Sequence, residues 1–166
     1  MARLVLVGLP GTGKTTVARA LADLWGVDAV DTDDLLSQTV GQAAPEYLRE
    51  HGEERFRLRE LEALVAALDS GEVVSTGGGV VTLDEARRAL AATVTYWLDC
   101  SDEEILARVG EADRPLLGAD PAGSLAHLRA QREPWYREVS RARIDSSGTL
   151  DEVVALILDD IERSAV

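Results

Sequence analysis

Short apolar runs alternate along the chain with longer segments in which apolar residues recur every three or four positions. The first run, at residues 3–8, is apolar without alternation, which is typical of a strand buried on both faces of a parallel sheet. Residues 14–26 follow with helical spacing and end at a glycine. The same succession continues through four more apolar runs, VDAVDTD, EVVST, TVTYWLD and ARID.

This alternation of strands and helices predicts an α/β fold. A five-stranded parallel sheet covered on both faces gives a three-layer α/β/α arrangement. The 166 residues suit a single domain, 1–166, and contain no internal repeat or linker. Ligands of such sheets bind beyond the carboxyl ends of the strands. Motifs at residues 8–15, 31–33 and 77–79 follow predicted strands, so we expect one composite site.

Glycines and capping residues bound the predicted helices. Residues 34–70 are predicted to be helical, with breaks near Gly41 and Gly52. The 53–69 segment is expected to bury the face that carries Phe56, Leu61, Leu64, Val65 and Leu68. Capping boxes are predicted at Thr82 with Glu85, Ser101 with Glu104, and Thr149 with Glu152. Ser124 is expected to cap a long helix that runs toward Arg141.

Composition and charge narrow the classes of function. The net charge is −13, which argues against a nucleic-acid-binding surface because such a surface needs clustered positive charge. Bound anions would depend on local basic residues. Cys100 is the only cysteine, so no intrachain disulfide can form, and we expect a buried apolar role for it. The apolar run near the N-terminus is too short for a membrane span, so we expect a cytoplasmic protein without a membrane partner.

The segment GLPGTGKT, residues 8–15, matches the phosphate-binding pattern G-x-x-x-x-G-K-[ST]. A predicted strand before it and a helix after it provide the context that the motif requires. Backbone N–H groups would surround phosphate oxygens, Lys14 would reach the β- and γ-phosphates, and the Thr15 hydroxyl would bind Mg²⁺. Lys14 is the only lysine beside 16 arginines, which singles out this position. The alternative is an ordinary strand-to-helix turn.

Two acids stand at the end of the second predicted strand. Asp31 and Asp33 are of the type that holds Mg²⁺ through water or orients a substrate hydroxyl. The alternative is that Asp33 or Asp34 only caps the following helix. A neighbouring phosphate-binding loop favours the functional role.

A second glycine-rich loop, STGGG, contains Gly77, Gly78 and Gly79 in a row. It has no lysine in the register of the first loop, so we do not expect it to bind ATP phosphates. A turn that needs positive φ would require only one glycine. Three glycines indicate that the backbone approaches a ligand so closely that a Cβ would collide with it.

Six motifs together resemble the shikimate kinase family, a P-loop group related to nucleoside monophosphate kinases. In chain order they are GLPGTGKTT, DTD, GEERFR, GGGVV, RPLL and REPWY. The resemblance implies a P-loop kinase fold with a substrate-binding helical segment at about 33–61 and a mobile lid at about 111–123. It also implies MgATP-dependent phosphorylation of the shikimate 3-hydroxyl, which yields 3-phosphoshikimate and ADP in chorismate and aromatic amino acid biosynthesis.

On the donor side, the resemblance implies roles for residues of the first loop and of the lid. Thr15 would bind Mg²⁺ directly and Asp31 through water. Arg114 would reach the phosphates from the lid, and Arg108 would lie against adenine. The residues implied to surround the ATP phosphates are Gly11, Thr12, Gly13, Lys14, Thr15 and Thr16.

On the acceptor side, the resemblance implies that Arg57 and Arg132 hold the shikimate carboxylate. Asp33 would hold ring hydroxyls and is the candidate proton acceptor, and the N–H of Gly78 or Gly79 would meet the substrate. Lys14, Asp33 and Arg114 would act directly in the transfer.

Two other functions stay open on the sequence. One is a related small-molecule kinase, such as a gluconate kinase, although GGGVV with GEERFR favours shikimate. The other is a catalytically silent nucleotide-binding regulator, which we would expect to have lost Lys14, Asp33 or an acceptor arginine. We expect a monomer whose partners are ATP and shikimate.

Overall fold

The fold is built on a central parallel β-sheet. The computed structural model describes residues 2–70, 72–109 and 118–164. Within them the strands are β1 (Leu4–Val7), β2 (Ala29–Asp31), β3 (Val73–Ser75), β4 (Thr95–Asp99) and β5 (Ala142–Asp145). They form one five-stranded sheet in the order β2-β3-β1-β4-β5, with every neighbouring pair parallel. The predicted sheet is therefore confirmed.

Helices connect the strands. They are α1 (Lys14–Trp25), α2 (Thr32–Val40), α3 (Ala44–His51), α4 (Glu53–Asp69), α5 (Asp84–Ala91), α6 (Asp102–Arg108), α7 (Pro121–Val139) and α8 (Leu150–Ser164). A short 3₁₀ turn at Val80–Thr82 precedes α5. No helix in the described part of the chain is long and apolar enough to cross a bilayer.

The order of the strands in the sheet brings the three predicted motifs together. β1 lies between β3 and β4, and β3 lies between β1 and β2. The carboxyl ends of β1, β3 and β2 are therefore neighbours on one edge of the sheet. Residues 8–13, 76–79 and 31–33 follow these three ends. The site is thus assembled where the chain leaves three adjacent strands.

The two faces of β1 are buried in separate apolar cores. Val5 and Val7 pack on the side of α4, α5 and α7, whereas Leu4 and Leu6 pack on the side of α1 and α8. Successive side chains of a strand point to opposite faces, so an unbroken apolar run indicates burial on both. The three-layer prediction is confirmed.

Helices α2, α3 and α4 pack on one another around Phe56 and Leu36. The predicted breaks are confirmed, because α2 ends at Gly41 with a φ of 73° and α3 ends at Gly52 with a φ of 80°. The expectation for Val65 is wrong, since this side chain is 48% exposed. Val65 lies outside the buried face of α4, and that face includes a glutamate. The buried residues are Phe56, Glu60, Ala63, Leu64, Ala67 and Leu68.

Two of the predicted helix caps are confirmed. Ser101 and Glu104 form a reciprocal capping box at α6. At α8, the Glu152 N–H donates to Thr149 Oγ1 (3.3 Å) and the Thr149 N–H donates to Glu152 Oε2 (2.7 Å).

Two other predicted caps are wrong. Thr82 Oγ1 donates to the Gly79 carbonyl instead (2.8 Å), because the 3₁₀ turn holds it there, and α5 begins after Leu83 without a side-chain cap. Ser124 lies inside α7, whose cap is Asp120, because Pro121 favours the first helical position.

An ion-pair cluster fastens α7 to the sheet. Asp99 ends β4 and is almost completely buried. Arg129 of α7 donates to Asp99 Oδ1 (2.8 Å), to Asp102 Oδ1 (2.7 Å) and to the Cys100 carbonyl (2.7 Å). Arg143 binds the other oxygen, Asp99 Oδ2, at 2.9 Å. Charge-assisted bonds therefore connect α7 with both β4 and α6.

We expect Arg129→Met to lower the free energy of unfolding by about 3 kcal/mol, because it removes one partner of a buried carboxylate. The matched control is Arg137→Met on the same helix, whose exposed pair with Glu133 contributes less than about 1 kcal/mol. Urea unfolding followed by circular dichroism measures both. Equal losses for the two variants would contradict a special role of the Asp99 cluster.

Candidate active site

The first glycine-rich loop connects β1 to the N-terminus of α1. Gly11 and Gly13 have φ values of 81° and 91°, which L-residues rarely adopt. The loop thereby leads directly into the N-terminus of α1, where the helix dipole is positive. Thr12 is buried, and its hydroxyl donates to the Leu9 carbonyl (2.9 Å). The hydroxyl of Thr12 thus stabilises the loop itself.

Lys14 is buried at the base of this loop. Its Nζ donates to the carbonyls of Gly8 (2.9 Å) and Leu9 (2.8 Å). Burial lowers the pKa of Lys14 to about 8, although the negative charges of Asp33 and Asp31 oppose that change. The ammonium group is therefore held in place beside the loop.

Three side chains meet at the carboxyl ends of β2 and β3. Thr15 Oγ1 donates to Asp31 Oδ2 (2.7 Å), and Ser75 Oγ donates to the same oxygen (3.1 Å). The other oxygen, Asp31 Oδ1, accepts the N–H of Asp33 (2.9 Å). Asp31 therefore caps α2, and the alternative of a cap by Asp33 or Asp34 is wrong. Two hydroxyls and one carboxylate oxygen form a compact set of hard oxygen donors.

In residues 2–70, 72–109 and 118–164, no group of three or more His, Cys, Asp or Glu side chains has the placement to hold a metal. A cation at the Thr15–Asp31 position would take the rest of its ligands from phosphates and water, as Mg²⁺ in nucleotide sites does.

Asp33 faces the glycine loop with its carboxylate free of the capping role. Burial raises the pKa of Asp33, and the neighbouring charge of Asp31 adds to the rise, while Lys14 opposes it. The Gly77 N–H donates to the buried Thr32 hydroxyl (3.0 Å), which connects the start of α2 to the loop. Asp33 is thus held between the two loops.

The three glycines have another cause than positive φ. None of them lies in the left-handed region. A Cβ at Gly77 would stand 2.6 Å from Asp33 Oδ1, and one at Gly78 would stand 2.9 Å from Pro10 Cδ. A Cβ at Gly79 would overlap the Arg57 guanidinium. The protein's own side chains therefore account for the three glycines, and the close approach of a ligand stays a prediction.

A cavity of about 430 Å³, here named the acceptor cavity, opens between the glycine loop and the α2–α4 helices. Its charged lining consists of Asp33, Asp34, Arg57, Glu60 and Arg132. Arg132 comes from α7 and is 8% exposed. Within the described residues, Nε of Arg57 and Nε of Arg132 are both buried and have no hydrogen-bond partner. The two arginines that line the cavity therefore each have one buried nitrogen without a partner in the described part of the chain.

Glu60 is a member of this site that the sequence reasoning missed. Glu60 is 4% exposed and pairs with Arg57 three residues before it. Burial raises the pKa of Glu60, and the charge of Arg57 opposes the rise. Its position on the apolar face of α4 was the available signal, because a carboxylate there needs a partner.

A smaller cavity of about 220 Å³, the donor-side cavity, lies on the other side of the phosphate loop. Its lining includes Thr16, Arg108, Ser146, Gly148 and Leu150. Arg108 Nη2 donates to the Ser146 carbonyl (2.6 Å), so the guanidinium contacts the first residue of the loop that follows β5. Thr16 lines the donor-side cavity, whereas Thr15 contacts Asp31.

The arrangement brings together most residues that the sequence singled out. Thr12, Gly13, Thr16 and Arg108 line the donor-side cavity, and Lys14 and Thr15 begin α1 directly after the phosphate loop. Asp33, Arg57, Gly78, Gly79 and Arg132 line the acceptor cavity. Arg114 lies outside the described residues, as does most of the 111–123 segment, of which residues 121–123 begin α7.

Ser75 and Tyr136 were also missed by the sequence reasoning. Ser75 contacts Asp31 as described above, and the Tyr136 hydroxyl donates to the Gly78 carbonyl (2.5 Å). Neither contact has a local signal, because the partners are 44 and 58 residues apart in the chain.

Known proteins share this sequence and this fold. The family model for shikimate kinase matches residues 10–162. A shikimate kinase of Salinispora arenicola is 41% identical over 154 residues, which cover 92% of each chain. The structure of an Acinetobacter baumannii shikimate kinase in complex with shikimate aligns with a TM-score of 0.86 and 30% identity, and the alignment covers 96% of this chain and 95% of that one.

A gluconokinase from Sinorhizobium meliloti aligns with a TM-score of 0.63 and 18% identity, over 99% of this chain and 93% of that one, which shows a shared fold alone. The family model extends over residues 10–162, and the 41% identity covers 92% of the chain. The chain belongs to the shikimate kinase family.

Proposed function

We propose that this protein transfers the γ-phosphoryl group of ATP to the 3-hydroxyl of shikimate and yields 3-phosphoshikimate and ADP. The observation that carries the proposal is the acceptor cavity, where Arg57, the buried Arg132 and Asp33 lie together with Pro10 of the phosphate-binding loop. A small hydroxylated acid has the groups that match these side chains. The reaction would serve chorismate and aromatic amino acid biosynthesis.

Arg57 and Arg132 are proposed to bind the shikimate carboxylate. Their unused Nε donors are buried, and burial of an unpaired donor costs about 1–3 kcal/mol unless a ligand accepts its hydrogen bond. Planar guanidinium groups match a carboxylate through paired N–H bonds. Glu60 would hold Arg57 in orientation through their ion pair.

Asp33 is proposed to hold the ring hydroxyls and to accept the proton of the 3-hydroxyl. Its raised pKa makes the carboxylate a better proton acceptor than an exposed aspartate. Because Asp33 borders both the glycine loop and Lys14, a hydroxyl bound there would lie close to the phosphate loop. Phosphoryl transfer requires mainly this kind of alignment, together with charge neutralisation.

The phosphate loop is proposed to bind ATP through its backbone N–H groups and Lys14. The Lys14 ammonium would exchange the carbonyls of Gly8 and Leu9 for phosphate oxygens. The adenine is proposed to occupy the donor-side cavity, where Arg108 and Thr16 lie.

Thr15 and Asp31 are proposed to hold Mg²⁺, the first directly and the second through water. The oxygen donors of Thr15, Asp31 and Ser75 fit a hard cation. When bound there, the cation would neutralise phosphate charge. Arg114 is proposed to add positive charge from the 111–123 lid, and this role stays a prediction, as do the monomeric state, the cytoplasmic location and the absence of nucleic-acid partners.

The direct test is ADP release with MgATP and a panel of acceptors, measured by a coupled assay. We expect release with shikimate and only background rates with gluconate or nucleoside monophosphates. Release with gluconate instead would reassign the acceptor. ATP binding without acceptor-dependent release would favour a silent nucleotide-binding protein.

Arg57→Lys is expected to raise KM for shikimate about tenfold and to leave KM for ATP within about twofold, because it keeps the charge but removes one charge-assisted bond. Arg59→Lys is the matched control, since Arg59 is on the same helix and its pair with Glu62 is exposed. Steady-state kinetics with each substrate varied separates the two. A similar rise in both KM values would argue against carboxylate binding by Arg57.

ATP binding is expected to take up protons above about pH 8. The pKa of Lys14 is lowered to about 8 in the free protein, and bound phosphates would raise it again. As the pH rises through that value, free Lys14 loses its proton and ATP binding must restore it, so the affinity falls. Calorimetry at about pH 9 in two buffers of different ionisation enthalpy measures the uptake, which approaches about one proton.

Lys14→Arg supplies the control for this titration, because a guanidinium stays protonated at pH 9. If Lys14→Arg takes up as many protons on ATP binding as the natural protein does, the titrating group is not Lys14.

A further inference from the structure

A tyrosine of α7 forms a hydrogen bond with the backbone of the glycine loop. The Tyr136 hydroxyl donates to the Gly78 carbonyl at 2.5 Å, and the ring is 1% exposed. Tyr136 lies one helical turn after Arg132, so one face of α7 carries both residues. The acceptor cavity is therefore bordered by an arginine of α7 and by a loop that the same helix holds.

The position of this hydroxyl is well defined. The ring of Tyr136 stacks on Trp97 of β4, with centroids 6.0 Å apart and an interplanar angle of 28°. Burial raises the pKa of Tyr136 to about 12, against the effect of the Arg132 charge. The phenol therefore remains a hydrogen-bond donor at neutral pH, and the carbonyl has a fixed partner.

The hydrogen bond has a consequence for the next N–H. The Gly78 carbonyl and the Gly79 N–H belong to one planar trans peptide unit, so they point in opposite directions. With the carbonyl held by Tyr136, the Gly79 N–H points away from α7. In the described part of the chain, no acceptor is found for this N–H, and Gly79 lines the acceptor cavity.

A loop of three glycines needs such an external contact. Without Cβ atoms, the peptide between Gly78 and Gly79 rotates at little steric cost. The bare backbone that makes room for Asp33, Pro10 and Arg57 is for the same reason poorly oriented by itself. A hydrogen bond from a rigid, buried side chain fixes its direction before the ligand binds.

We propose that Tyr136 is a positioning residue of the acceptor site, which aims the Gly79 N–H at a polar group of the bound acid by holding the Gly78 carbonyl. This inference rests on the proposed function for the identity of the acid. Tyr136 itself touches neither substrate, and it acts through the peptide unit.

The test is Tyr136→Phe, with Tyr96→Phe as the matched control. Tyr96 is also buried, and its hydroxyl donates to Asp160 (2.8 Å) on the α8 side of the sheet. We expect kcat/KM for shikimate to fall about five- to tenfold in Tyr136→Phe, while KM for ATP changes less than about twofold. Tyr96→Phe should change neither. Equal effects of the two variants on kcat/KM for shikimate would overturn the proposal.

An amide measurement without any ligand separates this inference from the proposed function. In ¹H–¹⁵N spectra of the two variants, the Gly79 amide should shift and exchange faster with solvent in Tyr136→Phe only. An unchanged Gly79 amide would overturn the inference even if the protein phosphorylates shikimate. The natural protein could fail to phosphorylate shikimate while the Gly79 amide resonance still changes in Tyr136→Phe. That result would refute the proposed function and would still support the orientation of the Gly79 N–H by Tyr136.

Should Tyr136→Phe fail to fold, as judged by thermal unfolding, the natural protein gives the answer. Titration with shikimate should shift the Gly79 amide resonance as the acid occupies the cavity. Saturation of binding without any response at Gly79 would overturn the proposal.

Discussion

The site depends on one steric constraint: the backbone of residues 77–79 lies where side chains from three other segments converge. Asp33 follows β2, Pro10 follows β1, and Arg57 comes from α4. A Cβ on Gly77, Gly78 or Gly79 would meet one of these three in turn. Because neighbouring parallel strands end at the same edge of the sheet, these segments share a small volume, and only bare backbone admits all of them.

Local charge balance is the second determinant of the site. The protein carries a net charge of −13, so its overall field is unfavourable for anionic substrates. Lys14 and Arg132 are nevertheless buried and the Arg57 side chain is only 14% exposed, and in such positions the lower dielectric strengthens their interaction with anions. Asp33 and Glu60 share this region and keep it from excessive positive charge. Short-range, desolvated contacts therefore outweigh the distant surface charge.

Helix α7 connects the stability of the fold with the geometry of the site. Through Arg129 it is bonded to Asp99, Asp102 and the Cys100 carbonyl, which fixes the helix on the carboxyl end of β4. Arg132 and Tyr136 follow on the same helix and reach the acceptor cavity and the glycine loop. An interaction that anchors the helix thus also sets the positions of two groups at the site.

The sequence by itself determined the α/β architecture, the phosphate loop, the breaks at Gly41 and Gly52, and the family, because these depend on local periodicity and on residues close together in the chain. It also identified Arg57, Arg132 and Asp33, but through resemblance rather than spacing. Only the tertiary structure decided which residues of α4 are buried, where Asp31 and Asp120 cap helices, and what the three glycines make room for. It alone paired Glu60 with Arg57 across a buried face, Ser75 with Asp31, and Tyr136 with Gly78. The Ser75 and Tyr136 contacts depend on strand order and helix packing, which bring together segments far apart in the chain and leave no periodic trace in it. Glu60 and Arg57 are three residues apart on one helix, and only the packing of α4 decides that Glu60 is buried.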